Sequence, residues 1–341
     1  MAGSDLTTAL LKQVSRSFYL SVAVLPAAVR PTIGLAYLLA RAADTIADTR
    51  LIERRARIVH LEALGEELSL ARAGRIAAIV EAAAGSQSLP AERRLLERLP
   101  AIFASYRGLA AADQARVRRL LATIIEGMTE DLRVFPGEDE GKLAALETRA
   151  DLDRYTYLVA GCVGEFWTDV HMAHRPRLAH WDRPAMQALG VRFGQGLQLT
   201  NVLRDVPRDL RTGRCYLPRV DLARLGLEPG DLLDPAAGLA ARPLLRELLG
   251  TTLDHYDAGW RYTVAIPRAE TRMRLACAWP LLIGLSTLDL LARSPNWLDP
   301  AVTLKVSRMS VYRLIARSSA TIWSTRALER QARRLRERIR L

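Results

Sequence analysis

Two aspartate pairs constrain this chain more than any other feature: Asp44 with Asp48 and Asp205 with Asp209, each spaced by four residues within a stretch that reads as helix. Four residues is just over one helical turn, so both carboxylates of a pair lie on one face, where they repel unless a cation sits between them. Hard divalent cations take oxygen ligands, and Mg²⁺ is commonly held by one or two carboxylates together with substrate phosphates. One such pair among 37 acidic residues is ordinarily a solvated helix face. Two, each set in an apolar helix, point to a Mg²⁺-dependent diphosphate site.

The neighbours of each pair extend the pattern. Tyr37, Arg41, Asp44 and Asp48 fall at i, i+4, i+7 and i+11, one polar stripe at about 100° per residue. Ile33, Leu35, Ala36, Leu38, Leu39, Ala40, Ala42, Ala43 and Ile46 make the rest of that helix apolar or small enough to bury. The stripe is therefore expected to face a cavity. Gln198, Asn201, Asp205 and Asp209 repeat the arrangement, with Arg204 adjacent. Pro207 lacks a helical donor and is expected to kink or end that helix, which leaves Asp209 less firmly placed than Asp205.

A chain of 341 residues, 50% hydrophobic, 6% aromatic and with few β-branched runs, reads as a compact all-α protein. One domain over 1–341 is expected, because the two acidic motifs must meet in one site and no Gly/Ser linker divides them. Pro- and Gly-bearing stretches at 85–90, 135–141, 211–218 and 229–236 read as loops. Cys162, Cys215 and Cys277 have no C-x-x-C spacing and read as packed, reduced thiols. The start of the chain lacks a basic-then-apolar signal pattern. The longest uncharged apolar stretch, Leu275 to Leu288, reads as too short for a bilayer.

The net charge is +12, and the basic residues are almost all arginine, with lysine only at Lys12, Lys142 and Lys305. Arginine forks suit phosphate oxygens. From Thr321 to Leu341 the chain holds seven arginines against Glu329 and Glu337, with Ile322, Leu328, Leu335 and Ile339 interspersed. This basic C-terminal helix reads either as solvated or as resting on an anionic membrane surface. Charge alone also permits a non-catalytic helical module that binds membranes or nucleic acid. The acidic stripes argue against it, since they repel phosphate unless Mg²⁺ is present.

Ser15-Arg16-Ser17-Phe18 sets an arginine between two hydroxyls, a grouping that can grip a diphosphate or merely cap a helix. In Tyr155-Thr156-Tyr157-Leu158-Val159-Ala160-Gly161-Cys162-Val163-Gly164 the small residues allow a helix or ligand to approach closely, and Tyr155 and Val159 share a face. The Arg211 to Pro218 loop, with Arg214 beside the second acidic pair, is suited to closing over phosphates. Gly194 and Gly196 follow no strand and read as helix packing, and His171 and His174 read as surface residues. No Walker loop and no G-x-S-x-G is present.

In combination these motifs resemble the squalene/phytoene synthases, the head-to-head prenyl transferases. The likeness runs from about Ser15 to Arg308: S-R-S-F, Y-L-L-A-R-A-A-D-T-I-A-D, Y-x-x-x-V-A-G-x-V-G, and Q-L-T-N-V-L-R-D-V-P-R-D followed by G-R-C-Y-L-P. The resemblance implies an all-α isoprenoid-synthase bundle around a central cavity, with the aspartate motifs facing each other across its mouth. On that model Asp44, Asp48, Asn201, Asp205 and Asp209 hold Mg²⁺. Ser15, Arg16, Ser17, Tyr37, Arg41, Gln198, Arg204 and Arg214 contact the diphosphates, and Tyr155 matches the family's acid/base tyrosine. Phe18, Val159, Val163 and Leu197 line the cavity. Asn201, Lys305 and Arg308 are the candidates for NADPH.

The D-T-I-A-D wording and the Cys277-Ala278-Trp279-Pro280 and Lys305-Val306-Ser307-Arg308 segments are most similar to squalene synthases. G-R-C-Y-L-P is worded as in bacterial phytoene synthases, and Ala47 stands where the family usually has an acidic residue. The implied reaction joins two farnesyl diphosphates through presqualene diphosphate, with NADPH reduction to squalene. The alternative stops without reduction, giving dehydrosqualene, or phytoene from geranylgeranyl diphosphate. A bacterial cytoplasmic enzyme is expected, with peripheral contact at the inner membrane face and no nucleic-acid partner.

Overall fold

A computed structural model of the chain describes residues 10–14, 18–70, 74–138 and 140–340. Ser15, Arg16 and Ser17 lie outside the described residues, as does the side chain of Phe18. In chain order the helices are α1 Phe18–Val24, α2 Arg30–Asp48, α3 Arg54–Glu67, α4 Ile76–Ala84, α5 Pro90–Glu97, α6 Leu99–Arg107, α7 Ala111–Val134 and α8 Arg149–Thr156. There follow α9 Cys162–His174, α10 Arg183–Leu210, α11 Arg219–Ala223, α12 Arg242–Ala265, α13 Thr271–Arg293, α14 Arg308–Thr321 and α15 Thr325–Arg336. The only strands among the described residues are β1 Ala144–Ala145 and β2 Arg214–Cys215, paired in parallel. The all-α expectation holds. Two compact units divide the chain: Met1–Arg133 with Glu165–Arg183, and Val134–Gly164 with Pro184–Leu341.

In the first unit α2 buries Ile33, Leu35, Leu38, Leu39, Ala42, Ala43 and Ile46, and packs on α3, α5 and α6. Pro31 in its first turn needs no intrahelical donor there. Its C-terminal end is fastened on two sides. Buried Arg57 of α3 donates to the Ala47 carbonyl at 2.9 Å, placing a cation where the helix dipole is negative. The Thr49 hydroxyl donates to the Thr45 carbonyl at 2.6 Å. The turn bearing Asp44 and Asp48 is thereby held from below. His171 is not a surface residue: it is fully buried and bonds the Trp167 carbonyl, whereas His174 is half-exposed and lies 2.8 Å from Asp113. Burial drives the His171 pKa down to about 4, so the ring is neutral and structural.

In the second unit α10 runs through Pro207 to Leu210, so the proline does not end the helix. Its missing donor falls in the last turn, where the chain closes the helix by other means. Arg211 donates to the Pro207 carbonyl at 2.8 Å, Thr212 to that of Asp209 at 2.9 Å and Gly213 to that of Leu210 at 3.0 Å. These bonds satisfy carbonyls that a helix end leaves open. Gly213, at φ 79°, then turns the chain into β2.

Glycines set how closely α10 meets its neighbours. A Cβ at Gly164 would run into the Gly190 backbone, and one at Gly194 into the Ala160 carbonyl. Behind α10, the buried Tyr256 hydroxyl of α12 lies 2.8 Å from that of Thr200 and covers Gly284 of α13. The three cysteines are buried free thiols, and burial pushes Cys215 up to about 12.

The apolar stripe of the C-terminal segment meets neither solvent nor a membrane, while most of its arginines are exposed. Ile322, Leu328, Leu335 and Ile339 are buried, and α15 packs on α13. The apolar stripe of the basic helix is spent on the protein's own core, because α13 presents an apolar face that must be covered. α13 itself, with 23 residues, is long and apolar enough to cross a membrane, because the helix extends beyond both ends of the uncharged stretch Leu275 to Leu288. Of its most apolar window 61% is buried, against α12, α14 and α15.

Candidate functional site

The α2 stripe forms as its spacing requires. Tyr37, Arg41 and Asp44 are half-buried and Asp48 is exposed, while the intervening residues are almost all buried. Arg41 ion-pairs with Asp44 and donates at 2.6 Å to Glu92, in the first turn of α5. Burial works against the Arg41 charge, but Asp44 and Glu92, with Tyr37 and Asp48 behind them, outweigh it and hold the guanidinium above its ordinary pKa. Asp44 is pushed up to about 6, chiefly by desolvation and then by the charge of Asp48, against relief from Arg41. Its side chain nevertheless keeps 39% exposure, so it can still meet a solute.

On α10, Gln198, Asp205 and Asp209 are half-buried and Asn201 is exposed, again along one stripe. Arg204 grips its neighbour Asp205 with two bonds, of 2.8 and 2.6 Å, and this bond holds its pKa up. Asp209 has only a long contact, 3.5 Å, to the exposed Arg208. Burial pushes Asp209 up to about 7; Arg208 opposes, Asp205 adds, and Arg214 at the start of β2 opposes more weakly. Pairing of β2 with β1 through Ala144 to Gly213 and Leu146 to Cys215, both 3.0 Å, fixes the loop that carries Arg214.

That loop also supplies Tyr216, which stacks on Tyr155 with ring centroids 4.6 Å apart. Gln198 reaches the Tyr155 hydroxyl at 3.4 Å, and Asn201 reaches Gln198 at the same distance. The second unit thus gathers Gln198, Asn201, Asp205 and Asp209 of α10, Arg214 of β2 and Tyr155 of α8. Val159, Val163 and Leu197 are half-buried apolar residues of this unit. The backbone after Tyr155 is a π-helical turn, Tyr157–Gly161, a form found often at functional sites. Lys305 and Arg308 are exposed, the first on the irregular stretch before α14 and the second at its first residue.

Sequence reasoning missed Glu92, Arg57 and Tyr216. Nothing local marks Glu92 or Arg57, whose partners are reached only through the fold. Tyr216 carried a signal, an aromatic in the basic loop. Among the described residues no group of three or more His, Cys, Asp or Glu is placed to hold a metal unaided. Each aspartate pair offers at most two carboxylates, which is what Mg²⁺ takes when phosphates complete its shell.

The squalene/phytoene synthase family model matches residues 11–310. A squalene synthase of Eremothecium gossypii is 25% identical over 333 residues, covering 97% of this chain and 71% of that protein. A presqualene diphosphate synthase of Zymomonas mobilis is 29% identical over 247 residues, covering 72% of this chain and 70% of that one. In three dimensions the chain is similar to a dehydrosqualene synthase in complex with a ligand, with a TM-score of 0.66 at 22% identity over 95% of this chain and 97% of the other. That likeness shows a shared isoprenoid-synthase helical fold.

Proposed function

We propose, since this chain belongs to the squalene/phytoene synthase family, that it joins two farnesyl diphosphates head to head into presqualene diphosphate and reduces that with NADPH to squalene. The pair of aspartate stripes carries the reading. Each sets two carboxylates of one helix face beside an arginine, an arrangement with little use except to hold a polyphosphate through a cation. For the product, the support is the likeness to a squalene synthase over 97% of the chain.

The donor sets fit Mg²⁺. Asp44 and Asp48 in one unit, and Asn201, Asp205 and Asp209 in the other, offer hard oxygen ligands, and the raised pKa values of Asp44 and Asp209 mark carboxylates short of positive charge. Bound there, Mg²⁺ supplies charge neutralisation for a departing diphosphate. Arg41 exchanges its hold on Asp44 and Glu92 for phosphate oxygens, with Tyr37 beside it, and Arg204, Arg214 and Gln198 do the same from the second stripe, as do Ser15, Arg16 and Ser17 from the start of the chain. Ionisation leaves an allylic cation, which Phe18, Val159, Val163 and Leu197 shield from water.

Closing the cyclopropane ring of presqualene diphosphate releases one proton and one diphosphate. Tyr155, oriented by Gln198 and by its stack on Tyr216, carries that proton. Lys305, Arg308 and Asn201 are the groups that would hold the phosphates of NADPH, and when bound it would supply the hydride that replaces the remaining diphosphate, leaving as NADP⁺.

A second reading ends before reduction, at presqualene diphosphate, dehydrosqualene or phytoene. The likeness to a presqualene diphosphate synthase favours it. Purified protein incubated with farnesyl or geranylgeranyl diphosphate, each with and without Mg²⁺ and NADPH, separates the readings by the lipid extracted. Squalene formed only when both Mg²⁺ and NADPH are present is expected. Phytoene, or dehydrosqualene unaffected by NADPH, overturns the reductive reading, and no turnover of either diphosphate overturns the condensation itself.

A further inference from the structure

One surface of the second unit has, apart from Lys305 and Arg308 at its edge, no part in this chemistry. α14 turns Leu314, Ile315 and Ser318 toward α13, and Ser318 accepts a hydrogen bond from Trp279 Nε1 at 3.2 Å. Its opposite face is open: Met309 is 59% exposed, Tyr312 62% and, just beyond the helix, Trp323 65%. At 100° per residue Met309, Tyr312, Ala316 and Ala320 fall within an arc of about 80°. Arg308 borders that arc on one side and Arg313 and Arg317 on the other, all three exposed.

From Pro300 to Leu328 the chain has five basic residues, Lys305, Arg308, Arg313, Arg317 and Arg326, and no aspartate or glutamate. We propose that this outer face of α14, continued by Trp323, docks on an anionic phospholipid bilayer. The chemistry matches on two counts. Tyrosine and tryptophan settle at the boundary of hydrocarbon and headgroup, and guanidinium forks pair with lipid phosphates. A second copy of the chain fits poorly, because a two-fold contact through this face would set Arg313 and Arg317 against their own images. The apolar residues of α15 are not available for the task, being buried on α13.

The test uses the full chain without substrate, floated with vesicles of phosphatidylcholine alone or mixed with phosphatidylglycerol. Binding to the mixed vesicles, weakened by salt, is expected, with a blue shift of tryptophan emission that Trp323→Phe largely removes. Two variants probe the face: Arg313→Gln with Arg317→Gln, and Met309→Ser with Tyr312→Ser and Trp323→Ser. Each is expected to weaken binding by about tenfold or more while leaving the melting temperature and the condensation rate unchanged, since every substituted side chain is exposed. Equal vesicle binding by wild type and both variants overturns the proposal. So does an effect of the serine variant on self-association alone, measured by light scattering, which would assign the face to a second copy.

Discussion

At Asp209 the chain keeps a carboxylate in a setting that favours its protonated form, about 7 against an ordinary 3.8. A folded-state pKa raised in this way contributes stability that is complete below about pH 4 and is lost as the pH rises through 7. Asp44, at about 6, acts in the same direction over a narrower window. Metal-free protein should therefore be less stable at pH 8 than at pH 5 on account of these two groups. Asp209→Asn removes the buried charge and is expected to stabilise the metal-free protein by about 1–3 kcal/mol at pH 8, with the advantage shrinking toward pH 4. Melting curves in EDTA at pH 5 and 8 check this, and a variant no more stable than wild type at pH 8 contradicts it. The same variant should lose turnover, so stability and activity move in opposite directions, as they do where a site holds a charge for a ligand. Tyr155→Phe deletes only a hydroxyl, and the bond it accepts from Gln198 is long at 3.4 Å. Presqualene diphosphate formation is expected to fall by at least about a hundredfold, with the melting temperature within about 1 °C of wild type. Undiminished formation would leave Tyr155 as a packing partner of Tyr216.

Among the elements, α2 and α10 were legible because a period of 3.6 writes their buried and polar faces directly into the sequence. What the period does not carry is the junction around Tyr155. The π-helical turn at Tyr157–Gly161 arises where α9 crosses α10 so closely that Gly164 and Gly190 meet backbone to backbone. The small residues announced a close approach, but the identity of the partner is tertiary information. The same holds for Glu92, which sits on Arg41 across fifty-one residues of chain. Gly164→Ala forces a methyl into the Gly190 backbone and should cost about 3 kcal/mol or more, with Tyr155 displaced and activity lost as well. Gly85→Ala is the contrast: its backbone is helical, at φ −63°, and nothing lies within 4 Å of the added carbon. It is expected to gain about 0.4–1 kcal/mol by restricting the unfolded chain. Paired denaturant titrations check both, and equal stabilities for the two variants would remove the crossing from the account.

For the molecule as a whole, net charge and an arginine-rich C-terminus suggested an outlying basic helix, and here composition misled. Charge density says which face meets water, and it does not say whether the other face has a partner. The partner is α13, whose apolar length is covered by α12, α14 and α15. α15 is fixed further by Ser324 capping Ala327, by Arg274 donating to Thr325 at 2.9 Å, and by two 3.1 Å bonds from Arg336 to Asp257. Removing residues 321–341 therefore strips a packed layer. Four buried aliphatic side chains, Ile322, Leu328, Leu335 and Ile339, leave with it. At about 1.5–3 kcal/mol for each, the loss is comparable to the whole stability of an ordinary domain, about 5–15 kcal/mol. The truncated chain should melt more than about 10 °C below the full chain or fail to fold cooperatively. Arg330→Gln with Arg334→Gln, which changes only exposed charge on the same helix, should leave the melting temperature within about 1 °C. Calorimetry of the three proteins decides between a layer and an appendage: a truncated chain that melts with the full one would mean that α15 contributes nothing to the core it covers.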